Sequence, residues 1–384
     1  MEQDKLALVR AQIDEIDKEL CRLFEARMEA AREAARYKLE HDMPVYAPSR
    51  EREILVSRSR EVKPELSGYA RVLYATLFDL SRSYQSALMA GNAAMIKEIE
   101  DAIASSPERL PSEATVACQG VEGAYSQLAC DRLFSLANIL YFNRFDGVFR
   151  AVEQGLCTYG ILPVENSIHG TVTEVYDLMK QYRFHIVKSL RMRINHCLLA
   201  LPGASLSGIK EVFSHEQALG QCGDFLKTLK GARVTPVENT AIAAKQLAES
   251  KRRDAAVIAS REAAAAYGLV PLTENISNSD GNFTRFILIT KDLEVLPGAN
   301  RISLMLSTEH KPGALYRVLA RFAALGYNLT KLESRPVPGS DFEFLFYADV
   351  EASVRDEAAR KLLADLKQSQ PRCDLLGCYM EECV

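Results

Sequence analysis

Two polar segments, each joined to an apolar strand, are the parts of this chain best suited to chemistry. Residues 160–171 read Gly-Ile-Leu-Pro-Val-Glu-Asn-Ser-Ile-His-Gly-Thr, so an apolar run leads directly into carboxylate, amide and hydroxyl groups. Far downstream, residues 281–286 (Gly-Asn-Phe-Thr-Arg-Phe) begin a second apolar run that continues to residue 290. Open α/β sheets bind ligands where polar groups meet the ends of buried strands. The two segments therefore predict a ligand cleft.

The elements that position these segments alternate between strand and helix from residue 115 onward, which is an α/β pattern. The apolar stretch 184–201, interrupted by Arg191 and Arg193, is expected to cross between two lobes. Turns from loop to helix are expected at 123–126, 171–173 and 214–218, where helix N-termini suit an anion. The strand candidates are 115–118, 139–142, 159–164, 211–214, 256–259 and 287–290.

The chain beyond residue 298 predicts a separate α+β module, because Leu-Pro-Gly at 296–298 marks a boundary. A βαββαβ order within about 80 residues is the ferredoxin-like plan. The predicted elements are strand 301–307, helix 313–325, strand 327–334, strand 342–350, helix 354–367 and strand 374–379.

Residues 2–90 carry only helical periodicity, with helices predicted to about residue 40, from 48, and from 64 to 89. A further helix at 93–104 leads into a linker rich in Ser and Pro. The first helix would be roughly 58 Å long, whereas a compact domain of this size spans only about 30 Å. An intertwined dimer is therefore expected, formed along this apolar stripe: Leu6, Val9, Ile13, Ile16, Leu20 and Leu23.

Polar side chains interrupt the apolar stripes of two of these helices. Arg27 and Lys38 share one face of the first helix, and Ser81 and Gln85 interrupt an apolar row of the third. One interpretation is that the two cations extend to solvent or pair with Glu51. We favour a water-poor pocket for a small dianion, because two independent helices place polar groups inside apolar stripes.

Composition excludes several classes of protein. With 384 residues, a net charge of −4 and a pI near 6.0, the chain offers no electrostatic case for nucleic acid. No apolar run approaches a membrane span, and residues 1–4 do not resemble a signal peptide. The nine cysteines lack metal-binding spacing and suit buried thiols in a reducing cytoplasm. No Gly-x-Gly-x-x-Gly or phosphate loop is present, so no nucleotide cofactor is expected. The cysteine spacing likewise gives no reason to expect a metal.

The two polar segments resemble the signature of prephenate dehydratases, which decarboxylate and dehydrate prephenate to phenylpyruvate. The resemblance covers about residues 115–290, and the helical part resembles the all-helical chorismate mutases. The whole chain thus resembles the bifunctional chorismate mutase–prephenate dehydratases. The resemblance implies an all-α mutase module (1–92), a helical segment and linker (93–112), a two-lobed α/β, periplasmic-binding-protein-like dehydratase module (113–292) and a ferredoxin-like ACT regulatory module (299–384).

For the mutase, the resemblance implies that Arg10 and Arg27 hold the two carboxylates of chorismate, with Arg10 donated by the partner chain. Lys38 and Gln85 would hydrogen-bond the ether oxygen of this pericyclic reaction. Ala47 stands where the family has an acidic residue, which predicts a slower mutase. The further motif residues are Arg50, Glu51 and Ser81.

For the dehydratase, the resemblance places Thr284 as the hydrogen-bond donor to the leaving hydroxyl. Asn166 and Ser167 could instead cap a helix, and Arg285 could pair with surface carboxylates. His169 and His215 are interpreted as structural and stay outside the catalytic set. The expected lining of the cleft is Ser126, Glu165, Asn166, Ser167, Thr171, Gln217 and Arg285.

Two motifs of the last module resemble the phenylalanine-binding motifs of ACT domains, although each could be a structural turn. The implied effector site comprises Gly313, Ala314, Leu315, Glu333, Ser334 and Arg335. The expected function is conversion of chorismate through prephenate to phenylpyruvate, inhibited by phenylalanine, in a cytoplasmic homodimer or higher oligomer. The alternative is a non-catalytic amino-acid sensor with a helical dimerisation module.

Overall fold

The computed structural model describes residues 2–41, 43–88, 93–237, 239–279, 281–337 and 343–384. The N-terminal module consists of α1 (Glu2–Glu40), α2 (Pro48–Glu61) and α3 (Ser67–Leu88), with a 3-10 turn before α3 at Pro64–Leu66. Proline at the first helical position sets the start of α2, as predicted. The predicted helix end at residue 89 lies outside the described residues. No helix of the described ranges has the length and apolarity to cross a membrane.

The apolar stripe of α1 stays largely uncovered by its own chain. Ile13, Ile16 and Leu23 expose 50–59% of their surface, and Tyr69 and Leu73 of α3 expose 76% and 55%. The 39-residue α1 would span roughly 58 Å, so the short α2 and α3 cannot cover it. Exposed apolar stripes of this size mark surfaces that bind another protein.

The first lobe of the central module is a sheet covered by helices, preceded by α4 (Ala93–Ser105). Strands β1, β2 and β3 are parallel, and β11 runs antiparallel between β3 and β5. The elements are β1 (Glu113–Gln119), α5 (Tyr125–Leu133), β2 (Leu136–Phe142), α6 (Phe145–Glu153), β3 (Tyr159–Asn166), β4 (Gly170–Thr171), α7 (Thr173–Met179), β5 (His185–Arg193) and β11 (Phe283–Thr290).

The second lobe is a five-stranded sheet in the order β10-β6-β9-β7-β8. The predicted crossing between lobes is confirmed, because β5 lies in the first sheet and β6 in the second. After β10 the chain returns to the first sheet at β11. The elements are β6 (Cys197–Ala200), β7 (Glu211–His215), α8 (Glu216–Gln221), α9 (Gly223–Thr228), β8 (Arg233–Val237), α10 (Thr240–Ser250), β9 (Ala255–Ala259), α11 (Arg261–Tyr267) and β10 (Val270–Thr273).

The C-terminal module has the predicted βαββαβ order, with its strands arranged β13-β14-β12-β15. The elements are β12 (Arg301–Ser307), α12 (Ala314–Ala324), β13 (Asn328–Pro336), β14 (Phe344–Glu351), α13 (Glu357–Ser369) and β15 (Arg372–Cys383). The predicted third strand began at residue 342, which lies outside the described residues.

The C-terminal and central modules share one sheet, which the sequence did not predict. Strand β15 runs four residues beyond the predicted end at 379, and those residues pair in parallel with β5. Leu345, Tyr347 and Tyr379 also join the apolar cluster that contains Val164 and Ile287 of the first lobe. The two modules therefore form one packed unit.

Candidate active sites

A cleft of about 910 Å3 lies between the two lobes of the central module. The first turns of α5, α6, α7, α8 and α10 all contribute residues to it, among them Ser126, Thr173 and Thr240. Helix N-termini carry a partial positive charge and backbone N–H groups that have no partner within the helix. The cleft is therefore suited to an anionic ligand.

Thr284 and Asn166 meet in this cleft because β11 and β3 pair them directly. The Oδ1 atom of Asn166 accepts hydrogen bonds from the backbone N–H groups of Ile168 and His169, both at 3.0 Å. These two donors fix the orientation of the amide, so Nδ2 donates to Oγ1 of Thr284 at 3.0 Å. Since Thr284 accepts this bond, its own hydroxyl proton is free for a group in the cleft.

A buried chain of amides continues from Asn166. Its Nδ2 also donates to Oδ1 of Asn282 at 2.9 Å, and Asn282 donates in turn to Oε1 of Gln221 at 2.9 Å. The same Gln221 oxygen lies 2.8 Å from Nε2 of His196. Asn282, Gln221 and His196 are all buried; His196 and Asn282 lie where the chain passes between the lobes, and Gln221 lies at the end of α8. Fully satisfied polar networks of this kind rigidify a site.

Sequence reasoning missed Asn282, Gln221 and His196. The available signal was the pair of polar residues at 195–196 between two apolar strands, which marks the crossing between lobes. Burial lowers the pKa of His196, although its bond to Gln221 acts in the opposite direction. Burial also raises the pKa of Tyr125, whose hydroxyl lies 3.1 Å from Nδ1 of His196. Both shifts favour the neutral forms.

Five residues predicted to act in the dehydratase line the cleft: Ser126, Asn166, Thr171, Gln217 and Thr284. His169 and His215 line it as well. Burial lowers the pKa of His215, and its Nδ1 accepts the backbone N–H of Gln217 at 3.3 Å. His215 thereby caps α8, which agrees with its structural interpretation.

The prediction that Glu165 and Arg285 line the cleft is wrong. Successive side chains of a strand point to opposite faces of the sheet. Since Asn166 and Thr284 face the cleft, the paired residues Glu165 and Arg285 lie on the other side. Arg285 is buried there against the C-terminal module.

Arg285 is the centre of a buried polar cluster. Its guanidinium donates to Asp349 at 2.6 Å and to the Tyr379 hydroxyl at 2.6 Å, and it lies 2.9 Å from Glu381. Burial alone would lower the pKa of Arg285, but Tyr379 and the two carboxylates outweigh it and raise the pKa. The cation is therefore fully committed to the module interface and unavailable to a substrate.

Ser167 was also predicted to line the cleft, but it lies outside the lining that the structure shows. Its hydroxyl donates to the carbonyl oxygen of Gly281 at 2.5 Å and accepts the backbone N–H of Phe283 at 2.9 Å. These bonds join the two polar segments to each other, so Ser167 supports the loop that carries Asn166.

The helical module brings four of its predicted residues together. Arg27 donates to Oγ of Ser81 and to the carbonyl of Leu77 at 3.1 Å, and Lys38 donates to Oε1 of Gln85 at 2.9 Å. Ser81 and Gln85 are each only 7% exposed. Burial lowers the pKa of both cations. The two cations thus point into the helix interface, as the pocket interpretation requires.

Glu51 pairs with Arg82, a residue that sequence reasoning missed, with 2.5 Å between Oε2 and Nη1. Arg50 does not join the pocket of this chain, because it is exposed and pairs with Glu53 at 2.8 Å. Arg10 is also exposed and lies 17 positions before Arg27 on α1, about 25 Å away. Neither arginine reaches the pocket within one chain.

A cavity of about 530 Å3 in the C-terminal module is lined by residues 308–316, which include Gly313, Ala314 and Leu315. Gly313 has a φ of +76°, a conformation that favours glycine. Ser334 is exposed on β13, and its neighbour across the sheet, Phe346, lines this cavity.

Glu333 and Arg335 do not line this cavity within one chain, so their predicted place in the effector site stays a prediction. Glu333 accepts a hydrogen bond from Thr171 at 3.1 Å, and Arg335 pairs with Asp177 at 3.0 Å. The alternation of β13 directs both of these side chains at the central module.

Comparison with known proteins assigns the helical and the central modules to known families. Residues 116–294 match the family model for prephenate dehydratase, and residues 9–86 match that for chorismate mutase type II. A bifunctional chorismate mutase/prephenate dehydratase of Aquifex aeolicus (strain VF5) is 32% identical, and the match covers 98% of each chain.

Two further relatives each match about 70% of this chain. Arogenate dehydratase/prephenate dehydratase 2 (chloroplastic) of Arabidopsis thaliana is 39% identical over 280 residues, or 70% of this chain and 73% of the relative. A prephenate dehydratase from Arthrobacter aurescens, solved in complex with L-Phe, has a TM-score of 0.63 at 29% identity. It covers 69% of this chain and 89% of the relative.

Proposed function

Because this chain belongs to the family of bifunctional chorismate mutase/prephenate dehydratases, we propose that it converts chorismate to prephenate and prephenate to phenylpyruvate. One observation above all supports the second step: Asn166 donates to Thr284 in an anion-suited cleft, which frees the Thr284 proton for a leaving group. Family membership disfavours the alternative of a non-catalytic amino-acid sensor.

The dehydratase step needs little acid strength from the protein. The bond to the ring carboxylate breaks, its electron pair enters the ring, and the ring hydroxyl departs as hydroxide while carbon dioxide is released. Prephenate, a dianion, thus gives phenylpyruvate, a monoanion, with carbon dioxide and hydroxide. A Thr284 proton directed at the departing oxygen stabilises the charge that develops there. Aromatisation supplies the driving force.

The mutase step is a rearrangement that needs neither a nucleophile nor a base. The pocket holds the reactive conformer and stabilises charge on the breaking ether. Because Lys38 occupies Oε1 of Gln85, the Nε2 amide of Gln85 keeps its protons for the ether oxygen. Arg27 is available for one carboxylate, and we assign the other to Arg10 of a partner chain.

We propose a homodimer formed through the exposed stripe of α1. A second copy would cover the apolar side chains that this chain leaves open, and it would bring Arg10 to the pocket that lacks it. A cytoplasmic location is proposed as well, since all nine cysteines are free thiols.

We further propose that the C-terminal module is an ACT domain that binds phenylalanine beside Gly313 and Ser334. The relative from Arthrobacter aurescens was solved in complex with L-Phe, which supports this effector. Feedback on the dehydratase then has a direct physical route, because Glu333 contacts Thr171 of the cleft and Arg335 contacts Asp177.

The test follows phenylpyruvate formation by the purified protein supplied with prephenate, and prephenate formation from chorismate. Thr284→Ala is expected to abolish the dehydratase and preserve the mutase, whereas the matched variant Thr284→Ser, which keeps the hydroxyl, retains activity. A wild-type protein that binds phenylalanine but transforms neither substrate would establish the sensor instead. Dehydratase activity near wild type in Thr284→Ala would remove Thr284 from the mechanism.

A further inference from the structure

Arg144 is the one arginine or lysine among the described residues that line the dehydratase cleft. It directly precedes α6, and its backbone there is extended, with φ −126° and ψ 153°. Its side chain is exposed, and within the described part of the chain it forms neither an ion pair nor a side-chain hydrogen bond. A cation without a partner in an anion-suited cleft is available to a ligand.

Neighbouring arginines of the module are already paired. Arg285 is held by Asp349 and Glu381 behind the cleft, and Arg150 on α6 pairs with Asp146 at 2.6 Å. Burial lowers the pKa of His196 and of His215, so these two side chains do not supply a permanent cation to the cleft. Arg144 therefore carries the permanent positive charge of the described cleft lining.

The chemistry of the proposed dehydratase step decides which carboxylate this charge should meet. The ring carboxylate loses its charge as it departs as carbon dioxide, so a cation there would stabilise the ground state more than the transition state. The carboxylate of the pyruvyl side chain keeps its charge throughout. A cation on that group anchors the substrate without raising the barrier.

We propose that Arg144 binds the pyruvyl carboxylate of prephenate, the carboxylate that phenylpyruvate retains. This inference depends on the proposed dehydratase function and adds a substrate-binding residue to it. A guanidinium can grip a carboxylate through two parallel hydrogen bonds. Its exposed position beside α6 lets the side chain turn into the cleft when the ligand enters.

The experiment compares Arg144→Gln and Arg144→Lys with Arg150→Gln, a control on α6 that does not line the cleft. Loss of a charge-assisted bond is expected to raise KM for prephenate roughly 10- to 100-fold in Arg144→Gln, with kcat within a few-fold. Arg144→Lys, which keeps a positive charge, should raise KM by a smaller factor. The inhibition constant of the product phenylpyruvate should rise by the same factor as KM, and kcat/KM should depend less steeply on salt.

A KM and a phenylpyruvate inhibition constant within two-fold of wild type in Arg144→Gln would overturn the proposal. A raised KM with unchanged phenylpyruvate inhibition would also overturn it, because the charge would then contact the departing carboxylate. If Arg150→Gln raised KM by the same factor, the effect would come from a general disturbance of α6, and this outcome would overturn the proposal too. If the wild type makes no phenylpyruvate, the proposed function fails, which is a distinct outcome.

Discussion

Replacing Asn166 by Asp reverses the hydrogen-bond polarity on which the assignment of Thr284 depends. The two residue types have nearly the same shape, so one oxygen still accepts from the loop N–H groups. The second oxygen replaces Nδ2 and faces the acceptors Asn282 Oδ1 at 2.9 Å and Phe283 O at 3.1 Å. Only Thr284 can then donate to it, so the Thr284 proton turns away from the leaving group.

The expected fall in kcat is the one caused by losing a hydrogen-bond donor directed at the negative charge that develops on the departing oxygen. Removal of such a donor costs about 10²- to 10³-fold in kcat, or roughly 2.7–4 kcal/mol. Asn166→Ala removes the amide without giving Thr284 a new acceptor. The aspartate variant should therefore be slower than the alanine variant, although alanine is the larger change in shape.

Steady-state phenylpyruvate formation at saturating prephenate measures both variants, with mutase activity as the internal control for folding. The two acceptors that face the new carboxylate raise its pKa. Its charged form is lost as the pH falls, so the activity of Asn166→Asp relative to wild type should increase toward acidic pH. A kcat of Asn166→Asp near the wild-type value at neutral pH would refute the proposed orientation of the Thr284 proton. A higher kcat for Asn166→Asp than for Asn166→Ala would refute it too, provided that both variants keep their mutase activity.

Three further predictions concern other parts of the chain. Ala47→Asp should raise kcat/KM for chorismate a few-fold or more by restoring a contact worth about 0.5–3 kcal/mol; a lower value would show that a neighbour already makes it. Ser334→Ala should weaken phenylalanine binding in calorimetry and relieve inhibition with basal activity kept, and unchanged affinity would place the effector elsewhere. Burial lowers the pKa of His196 in the folded state, so as the pH falls below 6.5 the unfolded chain binds a proton at this residue before the folded chain does. Acidification therefore favours the unfolded state. Denaturation at pH 5–7 should therefore show a smaller loss of stability on acidification for His196→Gln than for wild type.

The part of the cleft that could be predicted from sequence is the part that local pattern determines. Apolar runs locate β3 and β11, and the polar residues at their ends place Asn166 and Thr284 at a ligand site. The motif alone does not say which face of each strand meets the cleft. That choice depends on the docking of the C-terminal module, which buries Arg285 against Asp349. A buried ion pair and a surface cleft use the same residue types, so local sequence cannot separate them.

The same limit applies to the buried amides. Gln221 lies on α8 and Asn282 in the return crossing, far apart in sequence, and each could satisfy its hydrogen bonds locally. Only the tertiary arrangement brings them to 2.9 Å and adds His196. Sequence periodicity reports which side of a helix is apolar, but it carries no information about which polar groups meet across two lobes.

The C-terminal module directly supports β11, the strand that carries Thr284, and this bears on how an effector could control the cleft. Thr284 and Arg285 are consecutive in β11, and Arg285 is held by Asp349 and Tyr379 of the C-terminal module. Strand β15 extends the same sheet through β5, the neighbour of β11. Breaking a buried pair of this kind costs about 3–5 kcal/mol, so the two modules resist moving independently. A ligand that shifts β13 or β14 therefore acts on the support of Thr284 through packed and hydrogen-bonded contacts.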